Sequence, residues 1–170
     1  MFSNPRRRFI TAIQGDRIHH PHHGIGKIES IRKRSFSGEN GSKFAKIFFE
    51  RDCVTLMVRE NQLDETCRKP IGPTEAKKLL AHLKTWKGKV SNQWKTRANA
   101  NQLKMDEGNP NGYAEVYKGL KVREEDGSLS AADRVHLKQA GEFLAEELAI
   151  ALGKTPSEAL DKISSASSQV

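Results

Sequence analysis

Residues 70–73, Pro-Ile-Gly-Pro, divide this chain into two kinds of pattern. Two prolines and a glycine within four residues withhold backbone donors and interrupt any periodic element, so neither strand nor helix runs through them. Before the break, apolar residues alternate over short runs; after it, they recur at three- and four-residue spacing. A chain divided this way folds as α+β with its strands first. With 170 residues and 36% hydrophobic content, two modules with thin cores fit better than one deep core.

In the first part, Gly15-Asp16 forms a turn into Arg17-Ile18-His19-His20. Ile25, Lys27 and Glu29 fall on one face of the next run, and Ile28, Ser30 and Arg32 on the other. Residues 37–41, Ser-Gly-Glu-Asn-Gly, suit a hairpin tip. Residues 43–49 and 53–58 then pair across Glu50-Arg51-Asp52. Four or five short strands predict a small, strongly bent, barrel-like sheet over residues 13–68. Residues 1–12 form a basic, flexible tail, and 69–74 a linker.

The second part, residues 75–166, predicts an all-α bundle of about five helices. Pro73 suits the first turn of a helix to about Trp86, with Ala76, Leu79, Leu80 and Leu83 as its apolar stripe; Gly88 stops it. Ser91 is placed to cap a helix to about Glu107, with Ala100 and Leu103 on one line and Trp94, Ala98, Asn101 and Met105 on another. A third helix spans 110–123 through Tyr113, Val116, Tyr117 and Leu120. Ser130 with Asp133 forms a capping box for a long helix to Leu152, whose buried face takes Val135, Leu137, Phe143, Leu144, Leu148 and Leu152. Thr155-Pro156-Ser157-Glu158 starts a last helix through Ile163; the serine-rich end is expected to fray, with 167–170 as a tail.

Several function classes drop out. No apolar run approaches the ~20 residues a bilayer needs. Cys53 and Cys67 are the only cysteines and form no CxxC, so reduced cytosolic thiols are expected. Arg6-Arg7-Arg8 looks like a twin-arginine signal, but no apolar segment follows, which points to the cytoplasm. His19, His20, His22 and His23 invite a metal. Pro21 and Gly24 mark a turn there, however, so neighbouring rings diverge, and no Cys or carboxylate cluster completes a coordination sphere. No phosphate loop, nucleophile elbow or acid–base pair calls for catalysis or a cofactor.

Charge supplies the positive signal. Between Glu75 and Asp106 there is no carboxylate; eight basic residues and both tryptophans, Trp86 and Trp94, lie there. That window holds +8, the segment before it +5 and the segment after it −5. Lysine-rich helices are usually just solvated faces. Trp94, however, stands among Ser91-Asn92-Gln93 and Lys95-Thr96-Arg97, where an indole is placed to project. A cationic segment with aromatic planes attracts a polyanion over a Debye length of ~8 Å, so nucleic acid is the leading candidate.

Taken together, Gly15-Asp16, Pro21-His22-His23-Gly24, Val54-Thr55, Asn92-Gln93-Trp94 to Asn101, and Gly127-Ser128-Leu129-Ser130 resemble the bacterial CarD/CdnL family of transcription regulators, from about Ile13 to Ile163. The resemblance implies a Tudor-like N-terminal barrel, shared with transcription-repair coupling factors, that binds the β subunit of RNA polymerase. It implies C-terminal helices at the upstream edge of melted promoter DNA, stabilising the open complex. By position Trp94 is the minor-groove wedge, with Lys89, Lys95, Thr96, Arg97, Asn99, Asn101 and Lys104 as candidate DNA contacts. Arg34 matches a polymerase-facing arginine, Arg32 accompanies it, and Met57 stands where relatives carry a second arginine. Pro21, His22, His23 and Gly24 form a structural turn, and a monomer is expected. Two other readings use the same residues: a free-standing, sequence-nonspecific DNA- or RNA-binding protein, or an interaction scaffold with Trp86 and Trp94 both in the core.

Overall fold

The computed structural model describes residues 11–35 and 41–168, in two compact units that divide between Pro70 and Ile71. The arginines of the basic tail and the tip of the expected hairpin lie outside the described residues.

The first unit is a four-stranded antiparallel meander, in the order β1 (Arg17–His20), β2 (Gly24–Arg34), β3 (Ser42–Phe49), β4 (Val54–Arg59). The sheet is open rather than a closed barrel. After β4, a 3-10 turn at Glu60–Gln62 and a one-turn helix, α1 (Leu63–Thr66), place fully buried Leu63 in the core. They return the chain to β1, where His19 and Arg68 exchange backbone hydrogen bonds of 2.8 and 3.0 Å. This turn has no sequence signature, because Leu63 is the one apolar residue in a polar run.

Alternation sets most of the core: Ile18, Ile28, Ala45, Ile47 and Phe49 point inward. In β2 the expected faces need correction. Its register with β3 shifts between Ile28 and Ser30, so Glu29 is bulged out and strict alternation ends there. Ile28 therefore pairs with Ile47, and Ile31 with Ala45, both over the core, while Ser30 and Arg32 share the outward face. Gly26 allows the sheet to pack tightly: a Cβ there would lie 2.6 Å from the Phe49 ring and 2.8 Å from an Ile47 methyl. Cys53 and Cys67 are free thiols, and burial pushes the Cys67 thiol up to about 11 against the opposing Thr66 hydrogen bond.

The second unit packs α2 (Pro73–Thr85), α3 (Trp94–Asp106), α4 (Pro110–Glu125), α5 (Ala131–Leu152) and α6 (Pro156–Ser167) around one core. Tyr113, Val116, Tyr117 and Leu120 of α4 meet Phe143, Leu144 and Leu148 of α5, with Leu79, Leu83 and Ile163 closing the sides. Each buried aliphatic or aromatic side chain contributes about 1.5–3 kcal/mol relative to exposure. Both capping boxes form: Ser130 with Asp133, and Thr155 with Glu158.

Three local expectations fail. Val135 is exposed, because Asp133 and His136 take the inward positions of the first turns of α5. The serine-rich end does not fray before Ser167, since Ala166 packs on the core and Ser167 is buried, its hydroxyl bonded to Ser164 O at 2.8 Å. Within the stretch expected as a linker, Pro73 already begins α2, and the Ile71 N–H donates to buried Glu147 at 2.8 Å. Among the described residues no helix is long and apolar enough to cross a membrane.

Candidate nucleic-acid interface and protein-contact face

The helix expected from Ser91 begins instead at Trp94. The Ser91 hydroxyl accepts from the Gln93 N–H at 3.2 Å, closing a turn ahead of the helix. Arg97 then holds that turn in place. Its Nη1 donates to the carbonyls of Ser91 and Asn92 at 2.7 and 3.1 Å, while Nε and Nη2 form a two-pronged pair with Asp133 at 2.9 and 2.6 Å. Asp133 is also the third residue of α5 and accepts from the Ser130 N–H. Burial alone would raise its pKa; the hydrogen bonds from Arg97 and Ser130 overcome this and hold it at about 2. The same pairing raises the Arg97 pKa.

Locked by this network, Trp94 leaves 55% of its surface in solvent. A cavity of about 480 Å3, lined by Asn92, Trp94, Arg123 and the Ser128–Ala132 stretch, opens beside it. The scaffold reading, with both tryptophans in the core, therefore fails for Trp94. Lys95 places its ammonium 5.5 Å from the indole centroid, and Lys95, Thr96 and Asn99 lie exposed along one side of α3 with Lys89 exposed before it.

The other candidate contacts are drawn inward. Arg97 is 2% exposed and Asn101 4%. Arg97 is thus a positioning residue for Trp94 rather than a phosphate contact, because its donors are already committed inside the protein. Asn101 is on the buried line of α3, shared with Met105. Lys104 bonds Glu115 at 2.6 Å and lies over the Trp86 ring at 5.5 Å. Burial would raise the pKa of Glu115, yet Lys104 and His82 hold it below the usual carboxylate range. Leu103 is exposed, on the outward side of α3.

In the sheet unit, the ladder brings Arg32, Arg34 and Met57 to one face. Arg32 pairs with Phe44, which pairs with Arg59; Ser30 pairs with Lys46, which pairs with Met57; Arg34 pairs with Ser42. Arg59 and Phe44 thus join the residues singled out from sequence, the guanidinium carbon lying 5.9 Å from the ring centroid. An Arg two residues beyond Met57 in the same strand was the available signal, since period-two geometry puts both on one face.

The histidine turn is compact rather than divergent. The rings of His20, His22 and His23 gather at centroid distances of 5.0 and 5.6 Å from His20, and His20 and His23 both pack on Phe49. His23 bonds Asp52 at 2.9 Å, tying the β1–β2 turn to the β3–β4 turn. Burial first, then the neighbouring imidazoles, lowers the His20 pKa to about 4; burial and Arg68 lower that of His19 to about 2. Among the described residues no group of three His, Cys, Asp or Glu side chains is placed to hold a metal.

Residues 13–71 match the CarD-like/TRCF RID domain, and residues 78–164 match the C-terminal domain of CarD. The chain belongs to the CarD/CdnL family of bacterial transcription regulators. It is also similar to YdeB of Bacillus subtilis (strain 168), a protein provisionally assigned as a transcription factor, with 28% identity over 144 residues, 83% of this chain and 92% of that one. Placed on the structure, the first CarD-family match takes in the whole sheet and the returning Arg68, which makes the sheet unit one of the polymerase-interacting class. The second contains Trp94, Arg97, Asp133 and Arg123. Asp133 and Arg123 were not singled out by sequence as parts of the site; Asp133 was legible only as a helix cap.

Proposed function

We propose that this CarD-family protein docks on the β subunit of RNA polymerase through the outward face of its sheet and stabilises the promoter open complex by wedging Trp94 into the minor groove at the upstream edge of the bubble. The observation that supports this reading is the exposed indole at the first residue of α3, held from below by the buried Arg97–Asp133 pair. Inserting an apolar wedge costs a few kcal/mol of unstacking, least where melting has already disturbed the step. A protein that fits melted promoter better than closed duplex shifts the equilibrium by that difference in affinity, without catalysis. Lys89, Lys95, Thr96 and Asn99 supply backbone contacts that position the wedge and read little sequence. Attachment to polymerase raises the local concentration of the helical unit, so weak DNA contacts suffice.

Open-complex lifetime tests the reading. Trp94→Ala at saturating protein shortens the lifetime about tenfold, equivalent to about 1.4 kcal/mol. An unchanged lifetime removes the wedge. Arg34→Glu loses polymerase association while binding to free DNA is retained; equal retention on polymerase would displace the docking face.

A further inference from the structure

The loop between α2 and α3 folds over α4 and borders a cavity of about 500 Å3, separate from the one beside Trp94 but sharing Asn92 and Arg123 with it. Trp86, Lys87, Lys89, Lys118 and Arg123 line it, with Asp126 as its one acid. The loop comes this close because Gly119 has no side chain: a Cβ there would meet a Val90 methyl at 2.6 Å and the Trp86 ring at 3.6 Å.

Lys118 is 8% exposed. Its ammonium donates to the Lys84 carbonyl at 2.8 Å, a free acceptor of the last turn of α2, which engages one of three protons. Among the described residues no carboxylate pairs with it, and the charged group nearest in effect is another cation, Lys87. Burial and that repulsion lower its pKa. A buried ammonium without a counter-charge is a standing cost to the fold, one that an apolar side chain of the same length would avoid. Arg123 adds to the imbalance: its Nη1 reaches Asn92 Oδ1 at 3.2 Å, while its Nε is buried with no partner among the described residues.

The geometry points to an oxyanion site in this cavity, in which a phosphate group supplies the counter-charge for Lys118, Lys89 and Arg123 donate to it, and Trp86 forms the wall. A strand held at Trp94 passes beside it across Asn92 and Arg123, so the phosphate is one of the nucleic-acid backbone; in this respect the inference rests on the proposed function. A free pyrophosphate presents the same oxygens.

The test uses the full chain carrying Trp94→Phe, so that Trp86 is the only tryptophan, together with Lys89→Gln and Lys118→Met variants. Inorganic pyrophosphate is expected to change Trp86 emission and to raise the melting temperature, by linkage, in the parent and not in Lys118→Met. A purely structural Lys118 would lower the melting temperature when replaced but leave no difference in the response to pyrophosphate. With native Trp94 and a fork-junction duplex, each variant is expected to reduce the slope of log affinity against log salt by about 0.7–0.9, one phosphate contact. Lys89 is exposed, so its variant folds whatever Lys118→Met does.

No response to pyrophosphate together with unchanged slopes overturns the site, even where Trp94→Ala shortens the open-complex lifetime. Binding of pyrophosphate with unchanged slopes keeps the oxyanion site and overturns its assignment to a strand. A lost slope with an unaffected open-complex lifetime in Trp94→Ala keeps the site and removes the wedge.

Discussion

Arg97 and Asp133 form a two-pronged ion pair, 2.6 Å at its shortest, whose side chains are 2% and 0% exposed. It joins the first turn of α3 to the first turn of α5, and its remaining guanidinium nitrogen fixes the two carbonyls just ahead of Trp94. The cationic residue nearest Trp94 in helical phase is therefore part of the scaffold, and what it fixes is the place and angle of an indole.

Removing one partner leaves the other buried and unpaired, which typically costs about 3–5 kcal/mol. Arg97→Ala and Asp133→Ala should each destabilise the helical unit by that order in urea, and the double variant by clearly less than their sum. With Trp86→Phe, Trp94 emission should become more accessible to quencher in Arg97→Ala. Losses below about 1 kcal/mol in both single variants would show that the pair does not anchor α3.

Acid should unfold the two units in different ranges. The folded-state pKa values of His19 and His20 lie below the ordinary 6.5, so the unfolded chain binds more protons as pH falls through 6.5. The sheet unit then loses up to about 1.4 kcal/mol per pH unit for each histidine, down to about pH 4 for His20 and further for His19. Asp133 acts in the same direction over a lower range: its depressed pKa stabilises the helical unit above about 4, and that contribution disappears as pH falls toward 2. Both tryptophans and both tyrosines lie after Ile71, so their fluorescence follows the helical unit alone, while amide exchange follows the sheet. Simultaneous loss of both signals near pH 6 would contradict this order.

Gly26→Ala drives a methyl to within 2.6 Å of the Phe49 ring. Overpacking of this kind typically costs about 1–3 kcal/mol. Amide exchange in β1–β3 should accelerate accordingly, with the tryptophan signal unchanged; a neutral substitution would mean that Phe49 yields freely.

Arg59→Glu tests the residue that the ladder adds to the contact face. Reversing its charge should weaken polymerase binding about tenfold, about 1.4 kcal/mol, mostly through slower association. Loss of binding in Arg34→Glu with full binding in Arg59→Glu would confine the contact to the β2 end of the face.

Much of the architecture was legible because it rests on local chemistry. Prolines, capping serines and threonines, and apolar spacing marked the division at residues 70–73, the five helices of the second unit and the strands, since each depends on neighbours a few residues away. The bulge at Glu29 was not read from the sequence: Ile25, Ile28 and Ile31 recur every third residue, which period two cannot place on one face, and the faces of β2 follow only once β3 is beside it. Nor was the fate of the cationic residues. Lys95 and Arg97 are similar letters two positions apart, and only the placement of Asp133, 36 residues on, decides that one faces water and the other is enclosed.

The sequence by itself placed Trp94 in the first turn of a cationic helix, and helical phase put it on the same line as Asn101 and Met105. By phase alone all three would be buried. Tertiary structure decided otherwise: Asn101 and Met105 are buried within the helical unit, whereas Trp94, two turns earlier, stands where the start of α5 and the end of α4 leave a cavity. Burial depends on what lies opposite a side chain, and that is settled by contacts between residues far apart in the chain.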